Sequence, residues 1–375
     1  MNRREWIQAG VGGLTAASSL AAIGQPARGE LVLGQSAVLS GPLGKQIGAL
    51  NQGMGLAMAQ ANETGGVNGA SLRLVSLDDE LKPERAVANY KALLGEHQVT
   101  AFLGCVGSAT TAAAATLLRE SGVPSFGGYG VSDGARQKAK GAAYFVRAGY
   151  SREADVLIQH LLTLGIDRIA LAHLANPGGD EVRQFVVDTL AARGVKLRGA
   201  AAVSNDGQNA AEAGRTLAEQ DPQAVILFLG APLAAGVMEA MWQAGKRPTF
   251  YGMSIVAGDG VSALLGSKAR GLIVAQAVPY PWSEVELTAA EYRRLCEKKQ
   301  IAPNYFGFEG YLNASLFISI LRRAGTDLTR SRLHAAIRST RTRLSGMNVE
   351  FSDDSPTGSK FVELVQVAEG GRFIR

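Results

Sequence analysis

Short apolar runs and helix-forming stretches alternate along almost the whole chain, and this alternation restricts the fold more than any other feature of the sequence. Parallel strands need a long crossover between them, usually a helix, so repeated β-α order specifies a parallel sheet with helices on both faces. Leu31 to Leu39 reads as a buried strand closed by Ser40-Gly41-Pro42, and residues 46–62 have helical composition. Leu72 to Leu77 returns to strand. Pro83 then opens a helix whose apolar face is Ala86, Val87, Tyr90, Leu93 and Leu94. Val99 to Leu103 is the next strand, Ser108 reads as the cap of an alanine-rich helix to about Glu120, and Val123 to Phe126 is a fourth strand before the turn Gly127-Gly128-Tyr129-Gly130.

After Gly149 the order starts again. Ala154, Leu157, Ile158, Leu161 and Leu162 follow helical spacing, Arg168 to Leu174 is a strand, and further strands fall near 196–203, 225–229, 248–252 and 271–276. Pro279-Tyr280-Pro281-Trp282 breaks the pattern as a linker. Helices are expected at about 287–299, 308–323 and 329–340, with short strands near 347–351 and 360–367. The chain has 375 residues. At about 100–200 residues per domain, that length accommodates two cores. The expected fold class is α/β, with two doubly wound parallel-sheet lobes.

Residues 1–29 stand apart. Arg3-Arg4 precede Glu5-Trp6-Ile7, a weakly hydrophobic run follows from Ala9 to Ile23, and small residues and Pro26 come next, the order of a cleaved secretory signal of twin-arginine type. Cleavage fits after Gly24 or after Gly29, and an uncleaved membrane anchor is the competing reading. Two of the five net positive charges lie in this segment, as Arg3, Arg4 and Arg28 against Glu5. The densest basic stretch, Arg322 to Arg343, has helical spacing and no interleaved aromatics, so it reads as a solvated helix face, with no nucleic-acid partner. Both cysteines, Cys105 and Cys296, are expected as free thiols, Cys105 buried.

Catalytic motifs are thin. Gly130-Val131-Ser132-Asp133-Gly134 matches the nucleophile elbow, but the stretch from Ala135 to Gly141 is short and polar where the elbow needs a helix, and only His173 and His334 lie downstream. Gly258-Asp259-Gly260-Val261-Ser262-Ala263 loosely fits a dinucleotide fingerprint and is better explained by helix-cap glycines. The four histidines fit no metal spacing, so no metal or other cofactor is expected. Val106-Gly107-Ser108-Ala109-Thr110 remains, a strand-to-helix loop where an ordinary N-cap and a carboxylate site are equally compatible with the residues.

Leu33 to Pro42, Asn62 to Gly69, Asp78-Asp79 with Pro83 and Ala86, Gly104 to Thr110, Gly122-Val123-Pro124 and Gly165 to Ala170 together resemble the leucine/isoleucine/valine-type periplasmic solute-binding proteins of ABC transporters. The resemblance implies a type I, Venus-flytrap fold with three hinge crossings, near Gly149, Pro279 and Gly346. It divides the chain into residues 30–148 with 279–345 as lobe I, and 149–278 with 346–375 as lobe II. By register, Ser108 and Thr110 match the loop that grips a ligand carboxylate. Where the amino-acid binders of the family hold the ammonium with a threonine and an acidic residue, this chain reads Tyr129-Gly130-Val131-Ser132 and Ser254. An aromatic of the opposite lobe falls at Gly178, and the usual cysteine partner of Cys105 is Leu81.

The expected protein is thus a periplasmic binding protein without cofactor or catalysis. It delivers a small amino acid or other carboxylate to an inner-membrane permease and its ATPase. Ser108, Thr110, Tyr129 and Ser132 are the expected contacts, with Ser254 and Tyr280 from the far lobe and hinge; Tyr129 and Tyr280 read equally as packing residues. The alternatives are a periplasmic sensor of the same fold and an exported esterase using Ser132.

Overall fold

The computed structural model describes residues 29–375, so the expected signal lies, but for Gly29, outside the described residues. The first half follows the alternation closely: β1 (Glu30–Ala37), α1 (Gly41–Glu63), β2 (Ser71–Asp78), α2 (Pro83–Gly95), β3 (Ala101–Leu103), α3 (Ser108–Ser121), β4 (Ser125–Phe126), α4 (Asp133–Lys138) and β5 (Ala143–Tyr144). These strands form one parallel sheet in the order β2-β1-β3-β4-β5.

The chain then leaves this sheet and builds a second. It runs α5 (Tyr150–Thr163), β6 (Ile169–Leu174), α6 (Pro177–Ala191), β7 (Gly199–Val203), α7 (Ala210–Glu219), β8 (Ala224–Phe228), α8 (Ala231–Gln243), β9 (Thr249–Gly252), α9 (Gly258–Leu265) and β10 (Ile273–Gln276). All five residues of β8 are buried, the pattern of a central strand covered on both faces. Ala154, Leu157, Ile158 and Leu161 of α5 are buried as their spacing requires.

Three helices then return to the first sheet: α10 (Leu287–Lys298), α11 (Tyr305–Ala324) and α12 (Arg330–Arg338). Asn304 starts α11 by accepting a hydrogen bond from Gly307 N–H at 2.8 Å. α11 lies against α1 at backbone contact, because a Cβ on Gly53 would overlap the Gly307 carbonyl. Phe317 of α11 stacks on Phe126 at 4.9 Å and fixes the same attachment.

The strands expected near 347–351 and 360–367 are present, but the first belongs to a hairpin that was not expected. Residues 341–350 form a hairpin, β11 (Arg341–Leu344) with β12 (Met347–Glu350), around Ser345 and Gly346, both with positive φ. Phe351 packs on Phe126 at 5.7 Å, so the chain is still on the first sheet there. Gly346 is therefore a hairpin turn and not a passage between sheets. The passage comes later, where Phe145 and Thr357 form a parallel bridge. β13 (Glu363–Val367) and β14 (Phe373–Ile374) then add antiparallel strands to the second sheet, whose order is β14-β13-β10-β9-β8-β6-β7. The lobes are thus parallel at heart, with an antiparallel edge on the second.

Cys105 and Cys296 are both free and Cys105 is buried, as expected; Cys296 is buried as well. No described helix is long and apolar enough to cross a membrane.

Candidate functional site in the seam between the sheets

The carboxyl ends of the parallel strands in the two sheets face each other, and the loops leaving them meet. On the first sheet, Gly107 takes a φ of 102°, which glycine adopts at little cost, and stands at the cap position of α3. Ser108 is thus the first helical residue and not the cap. Its hydroxyl accepts from Ser132 N–H at 2.9 Å and donates to the Gly130 carbonyl at 3.2 Å, joining the two loops. Gly107 N–H donates to the Tyr129 carbonyl at 3.0 Å, and Tyr129 N–H to that of Cys105 at 2.9 Å, which extends the sheet into the loops. The first helical bond of α3 runs from Thr111 N–H, leaving the amides of Ser108, Ala109 and Thr110 at the helix start for an anion.

The second sheet supplies the facing wall. Asn176 starts α6 by accepting from Gly179 N–H at 3.0 Å, which places Gly178 opposite Ser108. A Cβ on Gly178 would stand 3.3 Å from the Ser108 hydroxyl oxygen. Glu181 of α6 accepts from Gly134 N–H of α4 at 2.7 Å, and a Cβ on Gly230 would meet Leu43 of α1 at 3.3 Å. The seam is closed, and its second wall is apolar or bare at Gly178 and Gly230.

Behind the seam sit two buried arginines. Arg147, on the first passage between sheets, is 1% exposed and donates to Glu153 of α5 at 2.9 Å, to Ser254 Oγ, and to both oxygens of Glu309 on α11 at 3.3 and 3.4 Å. Ser254 in turn gives its N–H and hydroxyl to Glu153, at 2.8 and 2.9 Å. The guanidinium lies over the Tyr129 ring at 4.9 Å. Burial opposes the charge on Arg147, but Glu309 and Glu153 more than offset this and hold it above its ordinary value. One guanidinium faces two carboxylates, and burial pushes the Glu309 carboxyl up against the pull of Arg147.

Arg136 of α4 is the second. It donates to the carbonyls of Val131, Arg147 and Ala148 and to the Thr357 hydroxyl at 2.9–3.1 Å, tying together the first and third passages. Burial without a carboxylate partner pushes it down to about 10. Asp133 accepts from Ser151 N–H at 2.9 Å at the start of α5, where a Cβ on Gly149 would overlap its carboxylate.

The expected site residues therefore divide. Ser108, Ser132, Tyr129 and Ser254 come together around the seam, Ser254 by way of Glu153 and Arg147. Thr110 is 2% exposed and its hydroxyl donates to the carbonyls of Val106 and Gly107 at 2.5 and 3.0 Å, so it serves the helix start. Tyr280 donates to the Phe373 carbonyl at 3.0 Å at the side of the seam. A short helix, α4, does come after Ser132, contrary to the sequence reading. Yet His173 lies against the Leu174 carbonyl at 3.0 Å and His334 against Tyr144 and Gly122, at 2.8 and 3.2 Å, with no hydrogen bond to Ser132 among the described residues.

Arg147, Glu153, Glu309 and Arg136 were missed. A signal exists for two of them: Arg147 ends the run Ala142-Ala143-Tyr144-Phe145-Val146, and Glu309 sits inside the apolar stretch from Tyr305 to Leu312. A lone charge in such a run must find a partner on folding.

Two α/β bodies closing a seam around strand-end loops define a bilobal ligand-binding protein. The chain belongs to the periplasmic binding protein family, whose model matches residues 30–372. A substrate-binding periplasmic protein from Ralstonia solanacearum is 28% identical, with a TM-score of 0.85 over 92% of this chain and 99% of that one. A branched-chain amino acid ABC transporter protein from Thermus thermophilus with bound valine has 17% identity and a TM-score of 0.82, covering 93% and 96% of the two chains. A solute-binding protein of an ABC transporter from R. palustris, in complex with 4-hydroxybenzoate, has 15% identity and a TM-score of 0.80, covering 92% and 95%. No curated protein matches the chain.

Proposed function

We propose that this chain is the extracytoplasmic solute-binding component of an ABC importer, taking a small carboxylate, either an amino acid or an amine-free acid, between its two bodies and delivering it to an inner-membrane permease and ATPase. The bodies divide at residues 145–149, 277–286 and 352–362, and the segment before Glu30 directs export. The observation that carries this reading is the seam itself: free amides at the start of α3, with Ser108 bridging two loops, face Gly178 of the second body. A ligand touching both walls is held only when they meet, so binding favours closure. The valine and 4-hydroxybenzoate of the two structural relatives, both carboxylates, support the chemistry. Catalysis finds no support, since neither downstream histidine reaches Ser132.

The ammonium has weak provision. Ser254 stands at the acidic position and spends its N–H and hydroxyl on Glu153, which is also paired with Arg147. We therefore favour the amine-free acid. A thermal-shift screen of amino acids against their amine-free counterparts tests this. A ligand at 100 times its Kd adds about 2.7 kcal/mol of stability. Shifts with the amine-free acids are expected; shifts confined to amino acids would reverse the preference, and none with any carboxylate would refute the reading.

A further inference from the structure

A pocket of about 460 Å³ opens on the flank of the seam, where the first and third passages run side by side. Asp133 and Gln137 of α4 line it from the first body, Arg152 of α5 and Phe185 of α6 from the second, and Thr357 and Lys360 from the third passage. Neither Ser108 nor Gly178 lines it, so it is separate from the carboxylate loops, and its volume is that of a small-molecule site. Its acids are already spent. Asp155 accepts from Arg193 at 2.7 Å on one carboxylate oxygen and from Arg152 at 3.1 Å on the other. Asp133 accepts from Ser151 N–H at 2.9 Å and lies against Gly149. Its donors are not. The Lys360 carbonyl accepts from Arg152 Nε at 3.4 Å, which sets two cations side by side, and the exposed Lys360 ammonium has no partner among the described residues. Thr357 Oγ1 accepts from Arg136 Nη1 at 3.1 Å, leaving the threonine proton for an acceptor in the pocket. Arg136 is 1% exposed and otherwise donates only to the carbonyls of Val131, Arg147 and Ala148, so its buried charge has no carboxylate in contact.

We infer that this pocket is an effector site for a small oxyanion of phosphate type, held by Lys360 and Arg152 and by the Thr357 hydroxyl that Arg136 polarises, and that its occupancy favours closure of the two bodies. A phosphate group carries more than one charge and presents acceptor oxygens on several sides, which suits donors arriving from a passage and from a wall of the second body. The remaining volume, with Phe185 on one side, admits an organic remainder. Gln137 belongs to the first body and Arg152 to the second, so a ligand touching both loses one wall when the bodies part. By reciprocity, an anion that favours closure also strengthens any ligand held between the closed bodies.

Calorimetric titration with inorganic phosphate and with glycerol 3-phosphate, at constant ionic strength set with sodium chloride, tests the site. At least one of the two is expected to bind, and tighter binding of glycerol 3-phosphate would assign the site to an organic phosphate. Lys360→Gln and Thr357→Val, checked for folding by circular dichroism, should each weaken binding about tenfold, the loss of one hydrogen bond to a charged group. Thr357→Ser keeps the hydroxyl and should bind as wild type does. A Gly178→Trp protein whose radius of gyration has risen should bind the phosphate more weakly, because its walls have parted. No binding of either phosphate up to about 10 mM, ten times a millimolar Kd, overturns the site, as does binding that Lys360→Gln leaves unchanged. Undiminished affinity in the wedged protein overturns the link to closure. The carboxylate reading survives each of these failures, since no residue of this pocket belongs to the Ser108 loop.

Discussion

Replacing Arg147 by methionine keeps an aliphatic stem of similar reach and removes the cation from between two carboxylates. Arg147, Glu153 and Glu309 are 1%, 0% and 5% exposed, so water does not replace what is lost. Glu153 retains the N–H and hydroxyl of Ser254, whereas both hydrogen bonds to the Glu309 carboxylate come from Arg147. Breaking a buried pair from one side costs about 3–5 kcal/mol, and loss of the stack on Tyr129 adds about 0.5–2. Glu309 limits the damage by taking up a proton. Its carboxyl already lies above the ordinary value of 4.5 and rises further without the guanidinium. A carboxyl raised in the folded state contributes stability at low pH and loses it as pH rises through the folded value. The deficit of Arg147→Met is therefore largest near pH 8 and shrinks toward pH 5. Glu309→Gln, which leaves one carboxylate for one guanidinium, is expected within about 1 kcal/mol of wild type. Urea unfolding followed by tryptophan fluorescence at both pH values measures all three proteins. A loss below about 1 kcal/mol for Arg147→Met at pH 8, the range of ordinary surface substitutions, would refute the argument, as would an equal loss at both pH values.

The same geometry makes three further outcomes measurable. Gly178→Trp puts an indole where a Cβ already stands 3.3 Å from Ser108 Oγ, so it should wedge the bodies apart and raise the radius of gyration in small-angle scattering; an unchanged radius would mean they do not close at this seam. Between pH 4.5 and about 7 the folded chain holds a proton on Glu363 that the unfolded chain releases, so stability should fall across that window. Allowing for partial exposure, the fall is about 1–2 kcal/mol, and Glu363→Gln should flatten it. Ellman's reagent should find two thiols in denaturant and almost none in the native protein, since both cysteines are buried and burial pushes Cys105 up to about 11; rapid native labelling would contradict this packing.

How far the site was legible depended on whether a residue's role is local. The loops of Ser108 and Ser132 could be singled out because strand-to-helix loops are marked by glycines and hydroxyls in the sequence itself, and the structure brings the two loops together. Even so, the cap fell to Gly107, whose positive φ moved Ser108 into the helix and freed its side chain for the second loop. Thr110 was read as a ligand contact because a hydroxyl near a helix start suits either role; only the burial of its side chain against Val106 and Gly107 decides between them. Of the hairpin at 341–350, β12 was expected near 347–351, but β11 was missed because Arg341-Thr342-Arg343-Leu344 is polar on its exposed side and carries too little alternation to signal a strand.

The sequence alone determined the β-α rhythm, the doubling of the α/β unit and the strand-end loops, because periodicity and turn chemistry act between neighbours along the chain. Tertiary structure alone decided which loops meet. Arg147, Glu153, Ser254 and Glu309 join residues up to 162 apart, and Gly178 of one body meets Ser108 of the other. Such partners share no spacing, since the contact is made by how the two sheets close, and a buried charge shows only that a partner exists.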